Sequence, residues 1–317
     1  MDKPVVFMFS GQGSQYYMMG KSLFDRHPVF HKWMCHLDTI VQQTAGYSVL
    51  EELYRKVDSQ HQVFDQILFT HPAIFMVEYS LSQVLIDSGV YPYFVIGTSL
   101  GEFAAAAVSG IVTVEEALFS LIEQAKLFHT KCLHGSMLAI LYDCKLYDQS
   151  PWLNKRSELV SINYDSHFVV SGTQGDIRHI KRRLNEMNIL AEILPVSYAF
   201  HSSLIDEIEQ DYQQFLSRFT YHKPKFEFVS SLVGEAISEL PKNYFWDVIR
   251  KPILFNKVIN ELEQYFGCTY VDVGPSGALA NFTKRTIDAH SQSTCHTILS
   301  PFGQDLDNLN KLIGKER

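Results

Sequence analysis

Gly97-Thr98-Ser99-Leu100-Gly101 has the form G-x-S-x-G, set between the apolar run Phe94-Val95-Ile96 and a small-residue stretch over 103–108. A strand that breaks into a helix through two glycines makes a sharp turn that pushes its serine out of the sheet. The backbone N–H of the next residue, here Leu100, then points at an oxyanion forming on an acyl group. The same five residues also suit a plain strand-to-helix turn in which Ser99 caps the helix. A serine nucleophile needs a base. Of the 13 histidines, His27, His31, His36 and His179 sit in charged, surface-like surroundings. His201 instead ends the apolar run 196–200, where the alternative role is a hydrogen-bonded core histidine. His71, in Phe69-Thr70-His71-Pro72-Ala73, is its competitor. No acid stands out as a third member. Asp272, at a strand end, reads better as a turn cap.

These groups need elements to hold them. Residues 5–9, 94–96 and 270–273 read as short apolar strands, each followed by a glycine turn and a helix, with Gly11 to Gln15 opening the first helix directly. That order predicts a mostly parallel α/β sheet with functional loops at the strand ends. A segment of different texture lies between. Strands are expected at 137–142, 159–163, 168–171 and 191–195, with a charged helix at 176–188 and another helix at 147–156. The order βαββαβ is the split, ferredoxin-like motif of a small inserted subdomain.

Composition bounds the function. The 317 residues are 46% hydrophobic and 20% charged, which excludes a disordered, collagen-like or disulfide-dense chain. With 27 Lys and Arg against 35 Asp and Glu, the formal charge is −8, a poor match to nucleic acid. Cys35, Cys132, Cys144, Cys268 and Cys295 are odd in number and without metal-ligand spacing, so neither a disulfide framework nor a zinc site is expected. The apolar run at 5–9 is too short for a secretory signal, and no run approaches the roughly 18 apolar residues of a membrane span. A cytoplasmic monomer with no membrane partner, metal or diffusible cofactor is the expectation.

Four motifs carry a family resemblance. Phe9-Ser10-Gly11-Gln12-Gly13-Ser14-Gln15 resembles the glutamine–glycine turn of malonyl-CoA:acyl-carrier-protein transacylases and polyketide synthase acyltransferase domains. Gly97-Thr98-Ser99-Leu100-Gly101-Glu102 resembles their nucleophile motif, Tyr198-Ala199-Phe200-His201-Ser202 their histidine motif, and Val273-Gly274-Pro275 their late glycine–proline turn. The resemblance implies an α/β-hydrolase-like large subdomain, residues 1–132 and 198–317, with the ferredoxin-like small subdomain at 133–197. It also implies a Ser–His dyad acting on thioesters. Ser99 would attack the acyl carbonyl, and His201, oriented by a backbone carbonyl, would take its proton and return it to the thiol. The N–H groups of Gln12 and Leu100 would hold the oxyanion, and Asn163 would line the site. A strand-end amide capping the next turn is the alternative for Asn163.

The departures from the family bear on substrate. Relatives that select malonate carry an arginine on the second helix after the serine, where it pairs bidentately with the free carboxylate. Here that position is Gln124, and a buried carboxylate deprived of its partner would lose several kcal/mol. Lys126 faces another side of the helix. Thr98 replaces a histidine beside the serine, and His71 stands where glutamine is common. Tyr198 and Phe200 combine malonyl-type and methylmalonyl-type patterns. Thr98, His71, Gln124, Tyr198 and Phe200 are therefore candidates to bind an uncharged acyl group. The chain is most similar to the freestanding acyl hydrolases of trans-acyltransferase polyketide synthases, which remove stalled acyl units from the phosphopantetheine of acyl carrier proteins. A malonyl- or other acyl-CoA transacylase is the alternative, and a silent carrier-docking scaffold a third reading. Carrier proteins are acidic, so Lys181-Arg182-Arg183 and Lys284-Arg285 are candidate docking charges, against the alternative of ordinary solvated helix faces.

Overall fold

Val5–Phe9 (β1) pairs in parallel with Phe94–Gly97 (β2) on one side and with Thr269–Asp272 (β9) on the other. All but Val5 of β1 is buried, the continuous apolar run required of a parallel strand covered on both faces. Glu227–Ser230 (β7) and Thr294–Thr297 (β10) extend the sheet in parallel, and the short Glu235–Ala236 (β8) closes it antiparallel, in the order β10-β9-β1-β2-β7-β8. The loops leaving β9, β1 and β2 thus share the carboxyl edge of one sheet, where α/β folds place their ligands. The structure is a computed structural model describing residues 3–55, 63–265 and 267–314, so residues 1 and 317, the expected outer limits of the large subdomain, lie outside it.

The helix after β2, Gly101–Ser109, is buried throughout, and its run of alanines lets it lie close against the sheet. At its entry two positions admit only glycine. A Cβ on Gly101 would strike the Phe9 carbonyl, and one on Gly97 the backbone of Glu102. The Ile67–Asp87 helix is buried on nearly every side, between the sheet helices and the surface.

A second sheet is inserted between the helices Val114–Lys131 and Glu209–Leu216. Its strands, Gly135–Ile140 (β3), Glu158–Tyr164 (β4), His167–Thr173 (β5) and Ala191–Ile193 (β6), are antiparallel in the order β4-β5-β3-β6. With the helix Gln174–Glu186 between β5 and β6, this is the split βαββαβ arrangement, and it has its own core around Leu138, Phe168, Ile177 and Leu184. Its other face turns toward the large sheet.

Three expectations are corrected. The helix at 147–156 is two short helices, Lys145–Gln149 and Pro151–Asn154, because Pro151 has no N–H to continue the first. Gly11 to Gln15 does not open a helix. The chain runs in turns to Gly20, whose backbone is left-handed, and the first helix is Lys21–Arg26. The strand expected at 137–142 also starts earlier, since Gly135 N–H bonds the Ser197 carbonyl at 3.0 Å. A Cβ there would meet Ala199, so this glycine anchors the segment leading to His201. Among the described residues no helix is long and apolar enough to cross a membrane.

Candidate active site

Ser99 occupies the tip of the β2 turn with φ 54°, a left-handed conformation that costs a non-glycine residue on the order of 1–3 kcal/mol. Its Oγ lies 2.8 Å from His201 Nε2. His201 is itself left-handed at φ 59°, and its N–H donates to the Ile249 carbonyl at 3.0 Å. On the far side of the ring, Nδ1 is 2.7 Å from the Lys251 carbonyl oxygen. A carbonyl only accepts, so Nδ1 carries the proton and the Nε2 lone pair faces Ser99. Burial pushes the His201 pKa down to about 4; the Lys251 carbonyl pulls upward and the Arg250 charge presses further down. The imidazole is a neutral acceptor at pH 7.

The loop after β1 lies against this turn because Gly11 has no side chain. A Cβ there would stand 2.9 Å from the Thr98 carbonyl oxygen and 3.0 Å from Ser99 Cβ. The backbone N–H groups of Gln12 and Leu100 have no acceptor among the described residues. Two free donors beside a strained serine can stabilise a tetrahedral oxyanion. The Gln12 amide points elsewhere, donating to Thr70 Oγ1 at 2.8 Å. The Leu100 side chain is buried and offers only its N–H.

Two buried carboxyls brace the strand ends. Glu102 accepts from Ser231 N–H at 2.8 Å and from the Tyr244 hydroxyl at 2.9 Å, and burial raises its pKa to about 7 against those bonds. Asp272 accepts from Gly274 N–H and Ala280 N–H, each at 2.9 Å, and burial raises it to about 6. It caps a turn and a helix start, and the position behind His201 belongs to the Lys251 carbonyl.

A cavity of about 200 Å³ opens from Ser99 between the two sheets. Ser99, His201, Gln12, Thr98, Phe200 and Asn163 all line it, together with Met137, Val160, Val169, Ile253 and Phe282. Among the described residues lining it there is no Lys, Arg, Asp or Glu. Asn163 does not cap a turn through its side chain; its Nδ2 lies 2.9 Å from His167 Nδ1 across the β4–β5 hairpin. His167, absent from the sequence expectations, lines the cavity and stacks between Tyr164 and Phe282, with centroids 5.2 Å from each.

His71, Gln124 and Tyr198 do not line the cavity, which corrects their expected place at the acyl group. Gln124 is buried and its Nε2 donates to the Tyr212 hydroxyl at 3.1 Å, which in turn donates to the Ser120 carbonyl at 3.3 Å. Gln124 also hydrogen-bonds His71, whose pKa burial pushes down to about 3, so this histidine is neutral. Phe200 lines the cavity and presents its ring to His71 at 5.8 Å and to Phe128 at 4.9 Å. Tyr198 packs against Phe128 and His134 instead.

A parallel sheet with a strained serine at its carboxyl edge, a neutral histidine against it and a ferredoxin-like sheet over the opening define the acyl transferase class. The acyl transferase domain family matches residues 6–314, and the chain belongs to that family. It is 50% identical over 310 residues to the polyketide biosynthesis acyltransferase homolog PksD of Bacillus subtilis, covering 98% of this chain and 96% of that one. To the homolog BaeD of Bacillus velezensis it is 45% identical over 312 residues, again 98% and 96%. Among solved structures, a loading acyltransferase from the avermectin modular polyketide synthase superposes with a TM-score of 0.89 at 25% identity, over 98% of this chain and 99% of that one. The malonyl CoA-acyl carrier protein transacylase from Clostridium perfringens shares the fold, with a TM-score of 0.80 at 24% identity over 98% and 96%.

Proposed function

We propose that the protein hydrolyses uncharged acyl thioesters borne by acyl carrier proteins in polyketide biosynthesis, through an acyl-enzyme on Ser99. One observation carries the reading: no charged residue lines the cavity among those described, and Gln124, at the position where malonate-selecting relatives hold their arginine, is a neutral amide. A malonyl carboxylate would enter without a counter-charge, at a cost of several kcal/mol. An acyl chain instead meets Met137, Val160, Val169 and Phe200.

Ser99 Oγ attacks the thioester carbonyl while His201 Nε2 takes the hydroxyl proton. The oxyanion accepts from the N–H groups of Gln12 and Leu100. Collapse breaks the C–S bond, and His201 returns the proton to the departing phosphopantetheine sulfur. Water, giving its proton to His201, then attacks the acyl-enzyme, and free acid leaves as the proton returns to Ser99. Transfer to a second carrier thiol is the alternative reading, favoured by the acyltransferase names of the relatives. It shares every step up to the acyl-enzyme.

The discriminating assay incubates the enzyme with acetyl- or butyryl-loaded carrier protein, and separately with malonyl-CoA plus holo-carrier protein. Ser99-dependent release of acetate or butyrate is the expected result. Efficient malonyl transfer to the holo-carrier contradicts it.

A further inference from the structure

Glu78 lies midway along the Ile67–Asp87 helix, wholly buried, and the dyad chemistry makes no use of it. Its Oε1 is 2.7 Å from the Ser10 backbone nitrogen and 2.9 Å from Ser10 Oγ. Ser10 Oγ is 3.0 Å from Ser14 Oγ, which is 2.8 Å from the Gly11 carbonyl oxygen. That carbonyl belongs to the peptide whose other half is the Gln12 N–H. In a trans peptide the two groups point in opposite directions, so a donor fixed on the carbonyl also fixes the aim of the N–H and polarises it.

The protons can be counted. Three oxygen–oxygen contacts, Glu78 to Ser10, Ser10 to Ser14 and Ser14 to Gly11, each require one hydrogen. The two serines supply two, and the Gly11 carbonyl supplies none. A protonated carboxyl supplies the third, which a carboxylate cannot. The relay then runs one way: Glu78 O–H to Ser10 Oγ, Ser10 O–H to Ser14 Oγ, Ser14 O–H to the Gly11 carbonyl. The other oxygen, Oε2, is buried with no partner among the described residues, an arrangement far less costly for a neutral acid than for a carboxylate. Burial, with the Asp272 carboxyl nearby, holds the Glu78 pKa well above the usual range against the Ser10 bonds. Gly274 completes the fit, since a Cβ there would collide with Ser10 Oγ and displace it.

We propose that Glu78 is a positioning residue of the reaction: as a neutral carboxylic acid it sets Ser10 and Ser14 so that the Gln12 N–H faces the oxyanion formed on Ser99. The inference rests on the Ser99 acyl-enzyme, and it holds whether water or a thiol resolves that intermediate.

The test uses the full chain and p-nitrophenyl butyrate, reading the burst of nitrophenol that reports acylation together with kcat, KM and the melting temperature. Ser14→Ala is expected to lower the acylation rate about 10- to 100-fold, below the loss of a whole oxyanion donor, with KM changed by no more than about threefold. Glu78→Leu is expected to fall comparably. Glu78→Gln restores only one of the two contacts that Oε1 makes, since an amide nitrogen can donate to Ser10 Oγ but cannot accept from the Ser10 N–H, and it should recover only part of that loss. The double variant Glu78→Leu/Ser14→Ala should fall no further than the worse single variant, because both act through one chain. A wild-type acylation rate in Ser14→Ala overturns the proposal. So do additive losses in the double variant. Should Glu78→Leu fail to fold, Ser14→Ala decides the matter. A wild-type burst that survives Ser99→Ala contradicts the acyl-enzyme itself and is read separately.

Discussion

His201 can act as a base at neutral pH because it is buried against a carbonyl rather than a carboxylate. Its pKa is lowered from 6.5 to about 4, so the base form persists well into acid. The acid limb of kcat/KM on a small thioester should therefore centre near pH 4, with a flat profile from about pH 6 to 8. A limb centred near 6.5 would contradict the buried geometry. Stability follows the same sign. Between the unfolded value and about 4 the unfolded chain binds the proton that folded His201 refuses, so this histidine's contribution to stability is lost as pH falls through that window. Replacing His201 by alanine should lower acylation by about 100-fold to 10,000-fold, measured by the same nitrophenol burst. Ser99 and His201 were legible because a nucleophile elbow and an isolated histidine have types and spacing that imply chemistry. The Lys251 carbonyl was not, since a backbone atom has no sequence signature. His167 carried no signal either, being one histidine at a hairpin that only folding brings to the cavity. Glu78 did carry one: a lone acid in the long apolar stretch from Ala73 to Leu85.

At the scale of elements, the elbow depends on backbone contacts that tolerate no methyl group. Gly101→Ala should displace the Gly101–Ser109 helix from the Phe9 carbonyl, lowering the melting temperature and acylation together. Circular dichroism melting beside the burst assay would show it, and a stable, fully active variant would contradict the close approach. Gln124→Arg places a guanidinium beside Tyr212 and His71, the partners Gln124 has among the described residues, neither of them a carboxylate. It should cost about 3 kcal/mol or more, because a buried guanidinium there would lack a counter-charge. An unchanged melting temperature would contradict that cost. Strand–turn–helix order was readable from apolar runs ending in glycine. The loop after β1 was misread because its form is set by distant partners: Gln15 Nε2 donates to the Phe64 and Pro195 carbonyls at 3.0 and 2.9 Å, which no local pattern encodes. The cavity-facing side of Phe200 was likewise invisible, since only packing decides which neighbours it meets.

Across the whole molecule, a formal charge of −8 opposes approach to an acidic carrier protein unless cations are gathered locally. The helix Gln174–Glu186 gathers them. Arg183 lies over the Trp152 ring at 4.7 Å, Arg182 reaches His179 at 3.2 Å, and Lys181 meets Glu192 at 3.4 Å in an exposed pair worth little. Under the proposed function, replacing Lys181, Arg182 and Arg183 with glutamate should raise KM for carrier-borne substrates several-fold while leaving small thioesters unaffected. Equal losses on both would place docking elsewhere. The two sheets matter together, because the cavity exists only where the ferredoxin-like sheet covers the carboxyl edge of the parallel one. The most direct measurement follows the fate of one acyl group: butyryl-loaded carrier protein, a radiolabelled acyl chain, and excess unloaded holo-carrier in a single reaction. Label appearing as free butyrate, and lost with Ser99→Ala, is the predicted result. Label accumulating on the second carrier, with malonyl groups moved equally well, would contradict it.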